Sequence, residues 1–215
     1  MPNALILGAS RGLGLGLARE LIARGWKVTG TVRREEDRAG LEATGAGSSI
    51  ADITDPASIA ALEVSGLDLL FVNAGISEPD DFETIDDDGI GHLFMTNAVA
   101  PVRVALSLLD RVAPGGMIAF MSSRMGSVSL TQQDNKAMYR ASKAALNSLT
   151  RAKMASFGER PVLSFHPGWV ETDMGGQGAD LDVATSVKGI VDVLEEHRRT
   201  PGSAFVDYSG ATLGW

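Results

Sequence analysis

A chain of 215 residues that is 44% hydrophobic and 21% charged can bury a full core, which excludes a disordered tail protein. Its formal charge is −8, with no basic cluster beyond Arg33-Arg34 and Arg198-Arg199. Phosphate-backbone binding needs a positive face, so nucleic acid is not expected as a partner.

Cysteine is absent and the three histidines are scattered, so no thiolate nucleophile, disulfide framework or metal-ligand set is expected. The opening MPNALILGASRGLG shows no signal-peptide pattern, and no apolar run reaches the ~20 residues that span a bilayer. A cytoplasmic protein with no membrane partner is the expectation.

Residues 3–7 form a short apolar run, read as a buried strand, ending in Gly8-Ala9-Ser10-Arg11-Gly12-Leu13-Gly14. A helix is expected over 15–23, with Leu17, Leu21 and Ile22 on one side. Strand, glycine turn and helix in that order aim backbone N–H groups at a pyrophosphate. The spacing is Gly-x-x-x-Gly-x-Gly, not the usual Gly-x-Gly-x-x-Gly, so the strand–helix context is what lifts it above an ordinary tight turn. Gly25 closes the helix, and residues 27–32 form the second strand. Just beyond that strand lies the place of a cofactor's adenosine ribose. An Asp there would favour a free 2′-hydroxyl, whereas Arg33, with Arg11 from the glycine turn, makes a clamp for a 2′-phosphate and hence for NADP(H). Arg34 and its acidic neighbours read as a solvated helix start.

Residues 48–53 form the third strand, and Thr54 or Asp55 caps a helix with Pro56 in its first turn. The near-continuous apolar run 67–72 suits a central parallel strand buried on both faces, and it ends in Asn73-Ala74-Gly75. Asp86-Asp87-Asp88 opens a helix that runs through Asn97 towards Val112, kinked at Pro101. Asn97 stands amid apolar neighbours and needs hydrogen-bond partners if buried. Strand five covers 116–121 and leads to Ser122-Ser123; Met117, Met121 and Met125 read as core fillers and a rim residue. Strand six covers 162–165 and ends in His166-Pro167-Gly168, and 175–178 marks a mobile stretch. A helix from Asp182 to about His197 and a strand over 204–208 complete the chain. Alternating strands and helices without repeats predict one doubly wound α/β domain, 1–215, with a largely parallel sheet. A hydrolase built on Ser122 or Ser123 with His166 is a poor reading, because Gly-x-Ser-x-Gly is absent.

Between strands five and six lies the helix-forming stretch 137–149, AMYRASKAALNSL, with Tyr139 and Lys143 one turn apart on one face. A free phenol titrates near ~10, and a fixed ammonium close by lowers that value, which suits a Tyr that gives or takes a proton at neutral pH. By itself this spacing is common in helices.

Together GASRGLG, Asn73-Ala74-Gly75, Asn97, Ser123-Arg-Met-Gly126, Tyr139-x-x-x-Lys143 and Pro167-Gly168 resemble the short-chain dehydrogenase/reductase family, in its order and over essentially the whole chain. MSSRMGSVS, YRASKAALN, HPGWVETDMGG and FVDYSGATLGW are further similar to its small C-factor or sniffer-like carbonyl reductase subgroup. The resemblance implies a Rossmann-like domain whose seven-stranded sheet is ordered 3-2-1-4-5-6-7, binding NADP(H) and working as a dimer or tetramer. It implies reduction of an aldehyde, ketone or quinone, with Tyr139 as general acid, Lys143 on the nicotinamide ribose, Ser123 on the substrate oxygen and Asn97 holding a water. Ser123 is preferred over Ser122 because the family's Ser lies three before a Gly, here Gly126. Asp52 and Ile53 would hold the adenine, Asn73, Ala74 and Gly75 would line the cofactor, and Pro167, Gly168, Trp169, Val170 and Thr172 would seat the carboxamide. The alternative is an NADP-binding sensor or C-factor-like signalling protein with little turnover. Two departures stand out. Leu7 replaces the family's usual Thr, removing a hydrogen bond that braces the turn, and a longer Ser123-to-Tyr139 stretch implies that 127–136 bulges over the substrate.

Overall fold

The apolar runs of the sequence become seven strands: β1 (Asn3–Leu7), β2 (Lys27–Val32), β3 (Gly47–Ile50), β4 (Leu67–Val72), β5 (Val112–Met121), β6 (Pro161–His166) and β7 (Gly202–Asp207). In this computed structural model, which describes residues 1–131 and 135–215, they pair into one sheet ordered β3-β2-β1-β4-β5-β6-β7. Every neighbouring pair is parallel. Parallel neighbours need crossovers, which carry α1 (Gly12–Ala23), α2 (Arg38–Glu42), α3 (Pro56–Ala60), α4 (Asp87–Phe94), α5 (Ala100–Ser107), α6 (Ala137–Ala152), α7 (Met154–Phe157) and α8 (Val183–His197). The expected order and parallel sense are those observed.

Successive residues of a strand face opposite sides, and the core follows that rule. Ala4 and Ile6 of β1, Leu69 and Phe71 of β4, and Met117 and Ala119 of β5 pack with Leu17, Leu21, Val187 and Ile190 of α1 and α8. Leu5, Leu7, Leu70, Val72, Ile118 and Phe120 pack on the other face with Val102, Ala105 and Leu146 of α5 and α6. Burial on both faces is why these strands read as continuous apolar runs.

Three helices begin at an Asp whose carboxylate accepts a first-turn N–H: Asp55 from Ala57 at 2.9 Å, Asp86 from Gly89 at 2.8 Å and Asp182 from Thr185 at 2.7 Å. Several expected boundaries move. Strand three stops at Ile50, so Asp52 and Ile53 lie beyond it, and β5 starts at Val112 with a register shift against β4. The long helix through Asn97 is interrupted differently from expectation. Met95–Val99 forms a π-helical turn between α4 and α5, and α5 ends at Ser107, short of Val112. Pro101 has no N–H for the carbonyl of Asn97, so the chain widens there instead of simply kinking.

Candidate active site

The sheet order reverses between β1 and β4, and a crevice opens beyond the strands' carboxyl ends at that point. It is a cleft of about 470 Å³. At its floor Gly8 adopts φ +86°, and Gly14 packs so tightly that a Cβ there would stand 2.0 Å from the Gly8 carbonyl oxygen. The brace expected to be missing beside Leu7 comes from the neighbouring strand: Gly8 N donates to Thr31 Oγ1 at 3.0 Å and Ala9 N to the Thr31 carbonyl at 2.8 Å. Asn73 Nδ2 donates to the Gly8 carbonyl at 2.7 Å, tying the end of β4 to the turn. The cap position of α1 is Arg11, whose side chain accepts nothing from the first turn, so those amides face the cleft available to an anion.

Ser10, Arg11, Gly12 and Leu13 line the cleft with Arg33, Asp52, Ile53, Asn73, Ala74 and Gly75. Arg34 spends its guanidinium on Glu36 and Asp37, whereas Arg33 makes no ion pair among the described residues. Arg11 is placed differently from the two-arginine clamp: its Nη1 lies 2.7 Å from Asp173 Oδ2, and both side chains are 74% exposed. Such an exposed pair is worth only about 0–1 kcal/mol, little obstacle to exchanging the carboxylate for a phosphate. Asp52 accepts from the Thr54 amide at 2.8 Å and hydroxyl at 2.7 Å. Burial alone would raise its pKa, but these bonds and the charges of Arg33 and His92 leave it below the ordinary value.

At the other end of the cleft, α6 presents Tyr139 and Lys143. Lys143 is buried; its Nζ donates to the Met121 carbonyl at 2.9 Å and stands 5.7 Å from the Tyr139 ring centroid. Ser123 Oγ accepts from Met125 N at 3.1 Å and lies in hydrogen-bonding reach of the Tyr139 phenol, while Ser122 Oγ donates to Asn147 Oδ1 at 2.8 Å. Gly126 lets the Ser123 turn lie against α6, since a Cβ there would meet Lys143 backbone atoms at 2.8–2.9 Å. Asn97, fully buried, accepts from Ile76 N at 2.9 Å and donates to Ile76 O at 2.8 Å and Ser142 Oγ at 3.0 Å. Its side chain thus joins the loop after β4 to α6.

One electrostatic expectation is reversed. Burial pushes the Tyr139 phenol up to about 12, with the Ser123 hydrogen bond pulling it down and the Asp80 carboxylate pushing it up. Lys143 Nζ stands over the ring, 5.7 Å from its centroid, and does not lower it. Its own pKa falls to about 8, because burial disfavours the ammonium. The phenol therefore holds its proton at neutral pH.

Pro167 and Thr172 also line the cleft. Gly14, Asn97, Ser123, Gly168, Trp169 and Val170 are not in its wall. Gly168, at φ +85°, packs against Leu181; the half-exposed Trp169 donates its indole N–H to the Gly175 carbonyl at 2.9 Å; Val170 is buried and bridges to Leu181. The bulge expected over 127–136 falls partly on 132–134, outside the described residues. Thr31, Ile76, His92, Thr96, Met121, Ser122, Asp173 and Met174 line the cleft unforeseen. Thr31 and Met121 could have been found from their places at strand ends; His92, on a helix face, gave no signal. Among the described residues no group of three or more His, Asp or Glu could hold a metal, and no helix is long and apolar enough to cross a membrane.

The model of the short chain dehydrogenase family matches residues 2–180. The C-signal of Myxococcus xanthus is 34% identical over 156 residues, covering 69% of this chain and 93% of that protein. A carbonyl reductase from Pseudomonas aeruginosa PAO1, crystallised in complex with NADP, superposes with TM-score 0.92 at 41% identity, covering 100% of both chains. A Burkholderia multivorans chain crystallised with bound NADP superposes with TM-score 0.94 at 38% identity, covering 100% of this chain and 99% of that one. With the sheet order, the glycine turn and the Tyr–Lys helix already in place, these matches establish that the chain belongs to the short-chain dehydrogenase family.

Proposed function

We propose that the chain is an NADP-dependent oxidoreductase that reduces an aldehyde, ketone or quinone carbonyl to the alcohol. The observation that carries this reading is that Tyr139 and Lys143, with Ser123 beside the phenol just behind the wall, stand at one end of a cleft whose other end holds the glycine turn and Arg33. The site fits the cofactor on its own terms: uncapped α1 amides, a turn packed tightly at Gly8 and Gly14, and an arginine, Arg33, that makes no ion pair among the described residues. Arg33, with Arg11 released from Asp173, holds the 2′-phosphate, and Asp52 and Ile53 hold the adenine. Pro167 to Thr172 backs the carboxamide, and Lys143 orients the ribose.

NADPH, when bound, supplies the hydride that adds to the carbonyl carbon. The protein supplies the proton: Ser123 Oγ donates a hydrogen bond to the carbonyl oxygen, and Tyr139 transfers its phenolic proton there as negative charge develops. A phenol held protonated by burial is prepared for that role. Asn97 braces α6 behind the site and orders the proton path. The expected result for Tyr139→Phe is a kcat at least ~10²-fold lower with NADPH affinity unchanged, the scale of general acid catalysis. Near-normal turnover by Tyr139→Phe would refute the mechanism.

A second reading draws on the likeness to the C-signal of Myxococcus xanthus. It is a cofactor-binding signalling or sensor protein with little turnover. NADPH depletion across a panel of aldehydes, ketones and quinones separates the two, because tight binding without depletion favours the sensor. As a member of this family the chain is further expected to act in the cytoplasm as one catalytic domain, 1–215, and to form a dimer or tetramer. Light scattering that gave a 22.5 kDa monomer across micromolar concentrations would reject the oligomer.

A further inference from the structure

The catalytic helix α6 begins without a cap of its own. Its N-cap position is Lys136, in the left-handed region at φ +51°, with no side-chain hydrogen bond to the first turn. Lysine has no acceptor to offer the amides that α6 leaves unpaired at its start, and those amides carry the positive end of the helix dipole. The third helical residue is Tyr139 itself. Its amide is satisfied from elsewhere in the chain: it donates to Asp80 Oδ1 at 2.6 Å, across a sequence separation of 59. Asp80 lies in the loop between β4 and α4, and its side chain is only 7% exposed. Lys136 Nζ stands 4.0 Å from the other oxygen of Asp80 and bonds Glu78, so the ammonium next to the helix start holds the capping loop.

The same loop carries two other parts of the site. Asn73, Ala74 and Gly75 at its start line the cleft, and Ile76 holds Asn97 through both backbone groups. A Cβ on Gly75 would stand 3.3 Å from Lys143 Nζ. Residues 73–80 therefore pass from the cofactor floor, beneath Lys143, to the amide of Tyr139. In a helix a long side chain points back towards the N-terminus, so the phenol's direction depends on how the first turn is held.

We propose that Asp80 is a positioning residue for carbonyl reduction, capping α6 from the β4–α4 loop and so setting the Tyr139 ring against Ser123. This inference rests on the reading of Tyr139 as the proton donor. Asp80 touches no substrate. Besides the charge that raises the Tyr139 phenol, it acts through the first turn of α6, and it ties the floor of the cofactor cleft to the catalytic helix. A misplacement of reacting groups by about 1 Å costs on the order of 10²-fold in rate, so a loosened first turn should cost turnover before it costs cofactor binding.

The test compares Asp80→Ala, which removes the acceptor, with Asp80→Asn, which keeps an acceptor oxygen without the charge. In the full-length protein, Asp80→Ala should lower kcat at saturating NADPH by about 10-fold or more with the NADPH Kd within about twofold. Asp80→Asn should recover most of that loss. A merely structural role would not produce this split or this rescue. Hydrogen exchange at the Tyr139 amide supplies a readout independent of turnover: it should be slow in the wild type and in Asp80→Asn, and fast in Asp80→Ala. The proposal is overturned if Asp80→Ala keeps kcat within twofold of wild type, if Asp80→Asn is as impaired as Asp80→Ala, or if the wild-type amide exchanges like an open loop. Should Asp80→Ala not fold, the wild-type and Asp80→Asn exchange rates decide. Tyr139→Phe, measured alongside, shows separately whether the proton-donor reading fails.

Discussion

Burial treats the two groups that define the site in opposite ways. It raises the Tyr139 phenol to about 12, so the phenol keeps its proton throughout the physiological range, and it lowers Lys143 to about 8. The group that titrates within the working range is therefore the lysine. A Lys whose pKa lies near 8 is an ammonium below that pH and a neutral amine above it. Its neutral form would give up the charge proposed to orient the ribose. The kcat/KM for carbonyl reduction, which reports groups of the free enzyme, should be level near pH 6–7 and fall as pH rises through about 8. A profile that rose between pH 7 and 10 would mean that deprotonation helps, contrary to this assignment.

At the scale of elements, the site depends on how closely the short 3₁₀ turn Arg124–Gly126 lies against α6. Gly126 is the contact: an added Cβ would press on the Lys143 backbone carbon at 2.8 Å and oxygen at 2.9 Å, which no rotamer change relieves. Gly126→Ala should therefore destabilise the protein by about 1–3 kcal/mol in urea unfolding, the range for overpacking. It should also lower kcat more than NADPH affinity, because the turn carries Ser123 while the glycine cradle lies on other elements. Gly40 in α2 is the control. A Cβ there meets nothing within 4 Å, and Gly40→Ala should leave turnover unchanged and stabilise by a few tenths to about 1 kcal/mol. Equal kcat values for Gly126→Ala and wild type would show that the turn tolerates displacement.

For the whole molecule, a ligand that binds only the folded state adds RT ln(1 + [L]/Kd), about 2.7 kcal/mol at a hundredfold excess over Kd. On the proposed clamp, in which Arg33 and Arg11 would make charge-assisted bonds to a 2′-phosphate alone, NADPH should raise the melting temperature more than NADH at equal concentration, with affinities at least ~10-fold apart. Arg33→Ala should narrow the gap by weakening NADPH. Equal shifts for the two cofactors in the wild type would remove the clamp. The net charge of −8 bears on this as well: the cofactor is an anion approaching an acidic protein, so its binding should rely on the few local cations.

The sequence by itself determined the order of strands and helices, the two-faced burial of the central strands, the glycine turn and the one-turn spacing of Tyr139 and Lys143. These are local patterns, set by the period of a strand or helix and by residues a few positions apart. The tertiary structure alone decided what lies across long separations. Arg11 meets Asp173 at a separation of 162 and Thr31 braces Gly8 at 23, supplying the hydrogen bond that Leu7 cannot. Asp80 reaches the Tyr139 amide at 59. The direction of the Tyr139 shift belongs to the same class. Spacing on a helix puts an ammonium near a phenol, but burial and the exact place of that ammonium depend on β5, the Ser123 turn and the β4–α4 loop. Those elements become neighbours of α6 only when the sheet assembles, and no local pattern encodes that assembly.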